Sequence, residues 1–254
     1  MNTLVALCAV GAEKILGNEI KHLGYKLAGN APGRVFFTGD DDSLYRANLC
    51  LRTADRVFLQ MASYPAEDFD QLFDGVHSID WQNYFKKDTK VTVDKVRCYK
   101  SKLNSEHAIQ GIVQKAIYQK LGERWHMSSL PETGSESNVR VYLDENNALI
   151  LLDLSGLPLH KRGYRVDGGI APLRETVAAV LLQVLGHPEF VLQFPIEPIL
   201  FLASGQGRQC GNQYQYTINY FSHHFQINKL TNQSINALSH CANHSCGLTV
   251  SFPL

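Results

Sequence analysis

Two hydrophobic periods alternate along the first 186 residues. Residues 3–8 are a short apolar run and predict a buried strand. In residues 12–23, Ile15, Leu16, Ile20 and Leu23 recur at helical spacing on one face. Residues 25–27 and 34–38 predict strands joined by a turn that holds Asn30, Pro32 and Gly33. Residues 42–51 predict a helix behind the acidic cluster at 40–42, whose charge suits the positive end of a helix dipole. A strand at 56–61 and a helix at 68–76 follow.

A second set of elements begins at residue 90. Residues 90–96 read Lys-Val-Thr-Val-Asp-Lys-Val, the alternation of a half-buried strand. Residues 105–121 predict a helix with Ile109, Ile112, Val113, Ala116, Ile117 and Leu121 as its apolar stripe. Residues 128–138 are polar and turn-like, 139–143 and 148–154 predict a hairpin around 144–147, and 172–185 predict a last helix. The order gives an α+β fold, mixed strands with helices on one side.

Composition changes this picture at one place. Residues 1–186 carry 22 Lys/Arg and 22 Asp/Glu, whereas 187–254 carry only Arg208, Lys229, Glu189 and Glu197, with five of the ten His and three of the six Cys. In that tail, Ser204-Gly205-Gln206-Gly207 lacks the third glycine, the ribose-binding acid and the βαβ context of a nucleotide-binding turn. His240, Cys241, His244 and Cys246 are too cramped for a tetrahedral zinc site and read as chance clustering. Cys8, Cys50 and Cys98 show no paired spacing, as expected of reduced thiols in a cytoplasmic protein. The apolar stretch at 4–10 has no basic residue before it and is followed by Glu13 and Lys14, so it reads as a strand and not a signal peptide. No stretch approaches the ~20 apolar residues of a membrane span, and no membrane partner is expected.

Formal net charge is zero, so any polyanion must be held by a local patch. Residues 95–124 hold Lys95, Arg97, Lys100, Lys102, Lys115, Lys120 and Arg124 against Glu106 and Glu123, a local net of +5. Such a cluster releases counterions from a phosphate backbone, and a solvated helix face has the same composition, so charge alone leaves both readings open. His160-Lys161-Arg162-Gly163-Tyr164-Arg165 sets three cations, an imidazole and an aromatic ring around a glycine. Arginine grips phosphate with two N–H groups and tyrosine stacks on an unpaired base, but a basic linker between domains fits equally well. The candidate RNA contacts are Lys95, Arg97, Lys100, Lys102, His160, Lys161, Arg162, Tyr164 and Arg165. No catalytic, cofactor-binding or metal-binding residue is nominated.

The same residues carry a resemblance. Leu157-Pro158-Leu159-His160-Lys161-Arg162-Gly163-Tyr164-Arg165, then Ala171-Pro172-Leu173-Arg174-Glu175-Thr176, resembles the junction of bacterial THUMP-domain class I RNA methyltransferases of the 23S ribosomal RNA guanine-N2 type. Tyr45-Arg46-Ala47-Asn48-Leu49, Leu51-Arg52-Thr53-Ala54, Arg56-Val57, Ile79-Asp80-Trp81 and Ser101-Lys102-Leu103 match upstream and in order. The resemblance covers residues 1–186. It implies a ferredoxin-like N-terminal module at 1–60, a THUMP RNA-binding domain at 61–155 and, at 156–186, a linker with the opening helix of a Rossmann-like methyltransferase domain. It also implies structured RNA, 23S ribosomal RNA, as partner, places Lys100 and Lys102 in an RNA-facing loop, and makes 160–165 a hinge.

The family's cofactor is S-adenosylmethionine. Its motifs Asp-Pro-Phe/Met-x-Gly-Ser-Gly-Thr and Asn-Pro-Pro-Tyr do not occur in this sequence. The expectation is therefore a truncated family member with no cofactor in this chain and an atypical tail at 187–254, frame-shifted or disordered. One encoding of Pro198-Ile199-Leu200-Phe201-Leu202-Ala203, read from the third base, gives Asp-Pro-Phe-Ser-Gly, the start of the missing motif. The expected function is RNA docking for a ribosomal RNA methyltransferase. The alternatives are an active methyltransferase whose catalytic domain is truncated here, and a scaffold that binds no RNA. Oligomeric state stays open.

Overall fold

β3 (Arg34–Gly39) alternates inward Val35 and Phe37 with half-buried neighbours, and antiparallel strands flank it on both sides. β1 (Asn2–Leu7) pairs with it in the register Leu4↔Phe37, and β2 (Lys26–Ala31) pairs along its other edge. α1 (Glu13–His22) buries Leu16 and Ile20, and α2 (Asp41–Cys50) buries Leu44 and Ala47. The Asp40 carboxylate accepts the Ser43 N–H at 3.0 Å, which starts α2 one residue before the expected helix. β2 reaches four residues past its expected end because its turn is only Pro32-Gly33, with Gly33 at φ 70°. All of β2 except Ala31 is exposed, so no hydrophobic period marks it.

The computed structural model describes residues 1–162 and 173–185. The expectations for Tyr164, Arg165, the frame-shifted tail and its His/Cys cluster fall outside the described residues. The described chain forms two units, Met1–Val57 with the chain from Leu157 onward, and Phe58–Gly156.

The second unit is entered along β4 (Arg56–Pro65), followed by α3 (Phe69–His77) and a 3-10 turn at Trp81–Asn83. β5 (Lys90–Tyr99), α4 (Glu106–Trp125), β6 (Glu136–Asp144) and β7 (Asn147–Asp153) complete it. The strand order is β4-β7-β6-β5. β7 runs antiparallel to both its neighbours, while β5 and β6 are parallel, and α4 is the crossover that a parallel pair needs. Ile109, Val113 and Ile117 of α4 and Val91, Val93 and Val141 of the sheet are fully buried. Trp81 stacks on Phe85 at 5.5 Å, and its Nε1–H donates to the Val76 carbonyl at 2.9 Å. Trp81 of the Ile79-Asp80-Trp81 motif is thus a core residue.

β5 runs three residues past its expected end. Its register shifts between Val93 and Lys95, a bulge that resets the alternation. α4 continues to Trp125, where His126 turns left-handed at φ 55° and closes it. Beyond the second unit, α5 (Glu175–Val184) buries Thr176 and Ala179. Cys8, Cys50 and Cys98 are free thiols. Among the described residues no helix is long and apolar enough to cross a membrane.

Candidate nucleic-acid interface

The bulge in β5 builds one half of the candidate surface. Val93 pairs with Val139 and Lys95 with Arg140, so Asp94 is the extra residue. Past it, Lys95, Arg97 and Tyr99 follow at two-residue spacing on one face, ~6.6 Å apart, and all are exposed. β5 ends the strand order, with β6 as its one neighbour. The Asp94 carboxylate instead takes Arg140, with Nη2–Oδ2 at 2.6 Å and Nε–Oδ1 at 3.3 Å, and that guanidinium lies 4.8 Å over the Phe58 ring. The Lys95 ammonium is pushed below its ordinary pKa by burial first, then by repulsion from Arg97 and Arg140, with Asp94 and Glu106 opposing. A cation destabilised by cations gains from an arriving anion.

The loop after β5 is fastened to the β6–β7 turn. Glu145 and Asn146 take φ of 49° and 63°, a two-residue turn of the type that matches strand twist, and Lys100 is also left-handed at 45°. Each such non-glycine conformation costs on the order of 1 kcal/mol. Hydrogen bonds offset the strain. The Asn146 side-chain oxygen accepts the Lys102 N–H at 2.7 Å, its N–H donates to Ser101 Oγ at 3.0 Å, and its carbonyl accepts the Ala66 N–H at 2.7 Å. The Glu145 N–H donates to the Tyr99 carbonyl at 3.1 Å.

Three of the four cations of this face are paired with a carboxylate. Arg97 Nη1 lies 3.1 Å from the Glu106 carboxylate, Lys100 Nζ lies 3.9 Å from Glu145, and Lys102 pairs with Glu67. Glu67 and Glu145 come from outside residues 95–124, so the net charge counted along the sequence exceeds the charge present in space. The remaining cations, Lys115, Lys120 and Arg124, lie further along α4, which packs against β5. Exposed pairs of this kind contribute about 0–1 kcal/mol, little enough for phosphate oxygens to replace the carboxylates.

The second cluster of expected contacts is engaged with the first unit. Arg162 donates from Nη1 to the Leu49 carbonyl at 2.7 Å, from Nη2 to the Leu51 carbonyl at 2.5 Å and from Nε to the Leu159 carbonyl at 3.0 Å. Leu49 and Leu51 lie at the C-terminal end of α2, whose carbonyls lack helical partners. His160 Nδ1 sits 3.7 Å from Asp55 Oδ1. Asp55 also accepts the Leu159 N–H at 2.8 Å and the Thr176 hydroxyl at 2.6 Å, and donates its N–H to the Leu7 carbonyl at 2.7 Å. The Glu19 carboxylate accepts the N–H groups of Arg52 and Thr53 at 2.8 and 3.1 Å and the Thr53 hydroxyl at 2.6 Å. The Leu51-Arg52-Thr53-Ala54 motif therefore lies where α1, the linker and α5 are fastened. Lys161 is exposed.

The structure thus gathers Lys95, Arg97, Lys100 and Lys102 on the second unit and holds His160 and Arg162 within the first. Sequence reasoning passed over Tyr99, Asp55 and Glu19. The signal for Tyr99 is its parity with Lys95 and Arg97, which is legible once the strand is extended past its bulge.

Two family models match: the RlmL ferredoxin-like domain over residues 3–58 and the THUMP domain over residues 66–153. The chain is 43% identical over 184 residues to the candidate RNA methyltransferase YpsC of Bacillus subtilis, covering 72% of this chain and 47% of that protein. It is 34% identical over 182 residues to the ribosomal RNA large subunit methyltransferase K/L of Marinobacter nauticus, covering 72% and 25%. The candidate methyltransferase SMU.472, solved in complex with SAH, is similar at a TM-score of 0.66 and 38% identity, covering 72% and 48%. The chain spans less than half the length of each of these relatives.

Proposed function

We infer the function from one premise: the chain belongs to the THUMP-containing, RlmL-type methyltransferase family. It is the RNA-docking portion of a ribosomal RNA methyltransferase, with 23S ribosomal RNA in the cytoplasm as partner. The observation that carries this reading is the row Lys95, Arg97, Lys100 and Lys102, held on a braced strand and loop of the THUMP domain. Phosphate contacts of this sort position an RNA by shape and charge and leave base identity to other groups.

S-adenosylmethionine is the methyl donor of the whole protein in this reading, since SMU.472 holds SAH. The described residues do not fit that cofactor. Their left-handed glycines, Gly11, Gly24, Gly33 and Gly156, sit at strand and helix ends, and none opens a βαβ unit with an acid placed for a ribose. No methyl-transfer step is assigned to these residues.

The test is titration of the full chain with a structured 23S ribosomal RNA fragment. Joint substitution of Lys95, Arg97, Lys100 and Lys102 by Ala is expected to weaken binding at least tenfold. Unchanged affinity in that variant would leave the face a solvated surface and favour the scaffold reading.

A further inference from the structure

We propose that Tyr99 is a stacking platform for an unpaired RNA base, whose flanking phosphates are held by Arg97 and Lys100. This deepens the RNA-docking reading and rests on it.

Tyr99 is 61% exposed, whereas every other tyrosine of the described residues is at least half-buried. A ring left in water contributes nothing to the core, yet its backbone is held firmly. Its carbonyl accepts the Glu145 N–H at 3.1 Å and the Ser101 hydroxyl at 3.1 Å. Next to it, Lys100 is left-handed at φ 45° outside any hairpin turn, a strained conformation for a non-glycine residue. Strain of this kind persists only where the surroundings over-determine it, and it clusters at binding sites.

The neighbours of the ring select the ligand. Lys100 Nζ lies 5.2 Å from the ring centroid, and Arg97 stands two residues back on the same face of β5. Among the described residues no other exposed large hydrophobic lies on β5 or on the loop at 100–104, so no apolar protein surface is matched here. An aromatic face between cations fits a nucleotide: the base stacks, and the phosphates on either side are neutralised. A paired base inside a duplex cannot reach the ring, so the ligand is a loop, bulge or single-stranded end.

The full chain is titrated with two RNAs, a stem-loop carrying 2-aminopurine in its loop and a blunt duplex of the same stem. The stem-loop is expected to bind more tightly and its fluorescence to be quenched on binding. Tyr99→Leu is expected to lose the quench and bind about tenfold more weakly, while Tyr99→Phe keeps both. If Tyr99→Leu quenches and binds as the parent does, or if the duplex binds as tightly as the stem-loop, stacking at Tyr99 is overturned and RNA docking stands. If the parent binds neither RNA, the docking reading itself fails and takes this proposal with it.

Discussion

The Glu13 carboxylate accepts the Gly33 N–H at 2.6 Å and the Gly11 N–H at 3.0 Å, pinning the β2–β3 turn to the start of α1. These backbone bonds, that from Gly33 foremost, hold its pKa below the ordinary carboxylate value. A depressed folded pKa gives stability that is present above the unfolded value of about 4.3 and is lost as pH falls through the folded value. Glu13→Gln is therefore expected to lower Tm at pH 7 by the equivalent of at most about 1 kcal/mol, since the group is solvent-screened. The difference from the parent should shrink as a circular-dichroism melt is repeated toward pH 3. A constant offset across that range would refute the assignment. Arg162 works through the same backbone chemistry with the opposite charge. Its planar fork reaches carbonyls 111 and 113 positions away in the sequence, which is why the motif around it reads as a phosphate grip until the fold is known. Arg162→Ala is expected to destabilise the first unit by about 2 kcal/mol, and Arg162→Lys to restore little, because an ammonium cannot form the fork. RNA affinity measured well below Tm should change less than twofold. A tenfold loss of affinity at unchanged Tm would make Arg162 a phosphate contact.

Gly75 in α3 and Gly111 in α4 have opposite consequences. Gly75 of α3 lies under Tyr64: an added Cβ would stand 2.1 Å from the ring, whose hydroxyl donates to the Leu72 carbonyl at 2.9 Å. Gly111 of α4 has nothing within 4 Å of an added Cβ. Helix propensity favours alanine over glycine by about 1 kcal/mol at both positions. Gly111→Ala is expected to gain about 0.5–1 kcal/mol in a denaturant titration. Gly75→Ala is expected to lose about 1–2 kcal/mol, because overpacking outweighs propensity. Stabilisation by both substitutions would mean that Tyr64 does not occupy that space. Propensity alone cannot make this distinction, and the limits of the sequence reading have a similar origin. Helix starts were legible because Asp40, Asp68 and Ser105 are caps just ahead of apolar periods. The end of β5 was hidden by a bulge, and β2 by its exposure on both faces. The parallel pairing of β5 with β6 is a non-local property that no window across either strand contains.

The molecule as a whole has a formal net charge of zero, so it offers an RNA no long-range field, and in the proposed reading the RNA would be held by the β5 face itself. The basic cluster was legible because its cations are adjacent in sequence. The carboxylates that temper it were not, since Glu67 reaches Lys102 across 35 positions and Glu145 comes from the far hairpin. Four phosphate contacts give a slope of log affinity against log salt of about −2.8 for single-stranded RNA and −3.6 for duplex, by analogy with DNA. In that reading Glu67, Glu106 and Glu145 compete with the phosphates, because Lys102, Arg97 and Lys100 would each have to leave a carboxylate to meet one. Neutralising all three as Glu67→Gln, Glu106→Gln and Glu145→Gln removes about 0.5 kcal/mol of competition apiece. The triple variant is therefore expected to bind the 23S ribosomal RNA fragment about tenfold more tightly at low salt, the advantage fading as salt screens both kinds of contact. Its Tm should fall only slightly, since exposed pairs stabilise the fold little. Affinity that stays level or drops in the triple variant, with the fold intact by circular dichroism, would show that the phosphates land elsewhere than on β5.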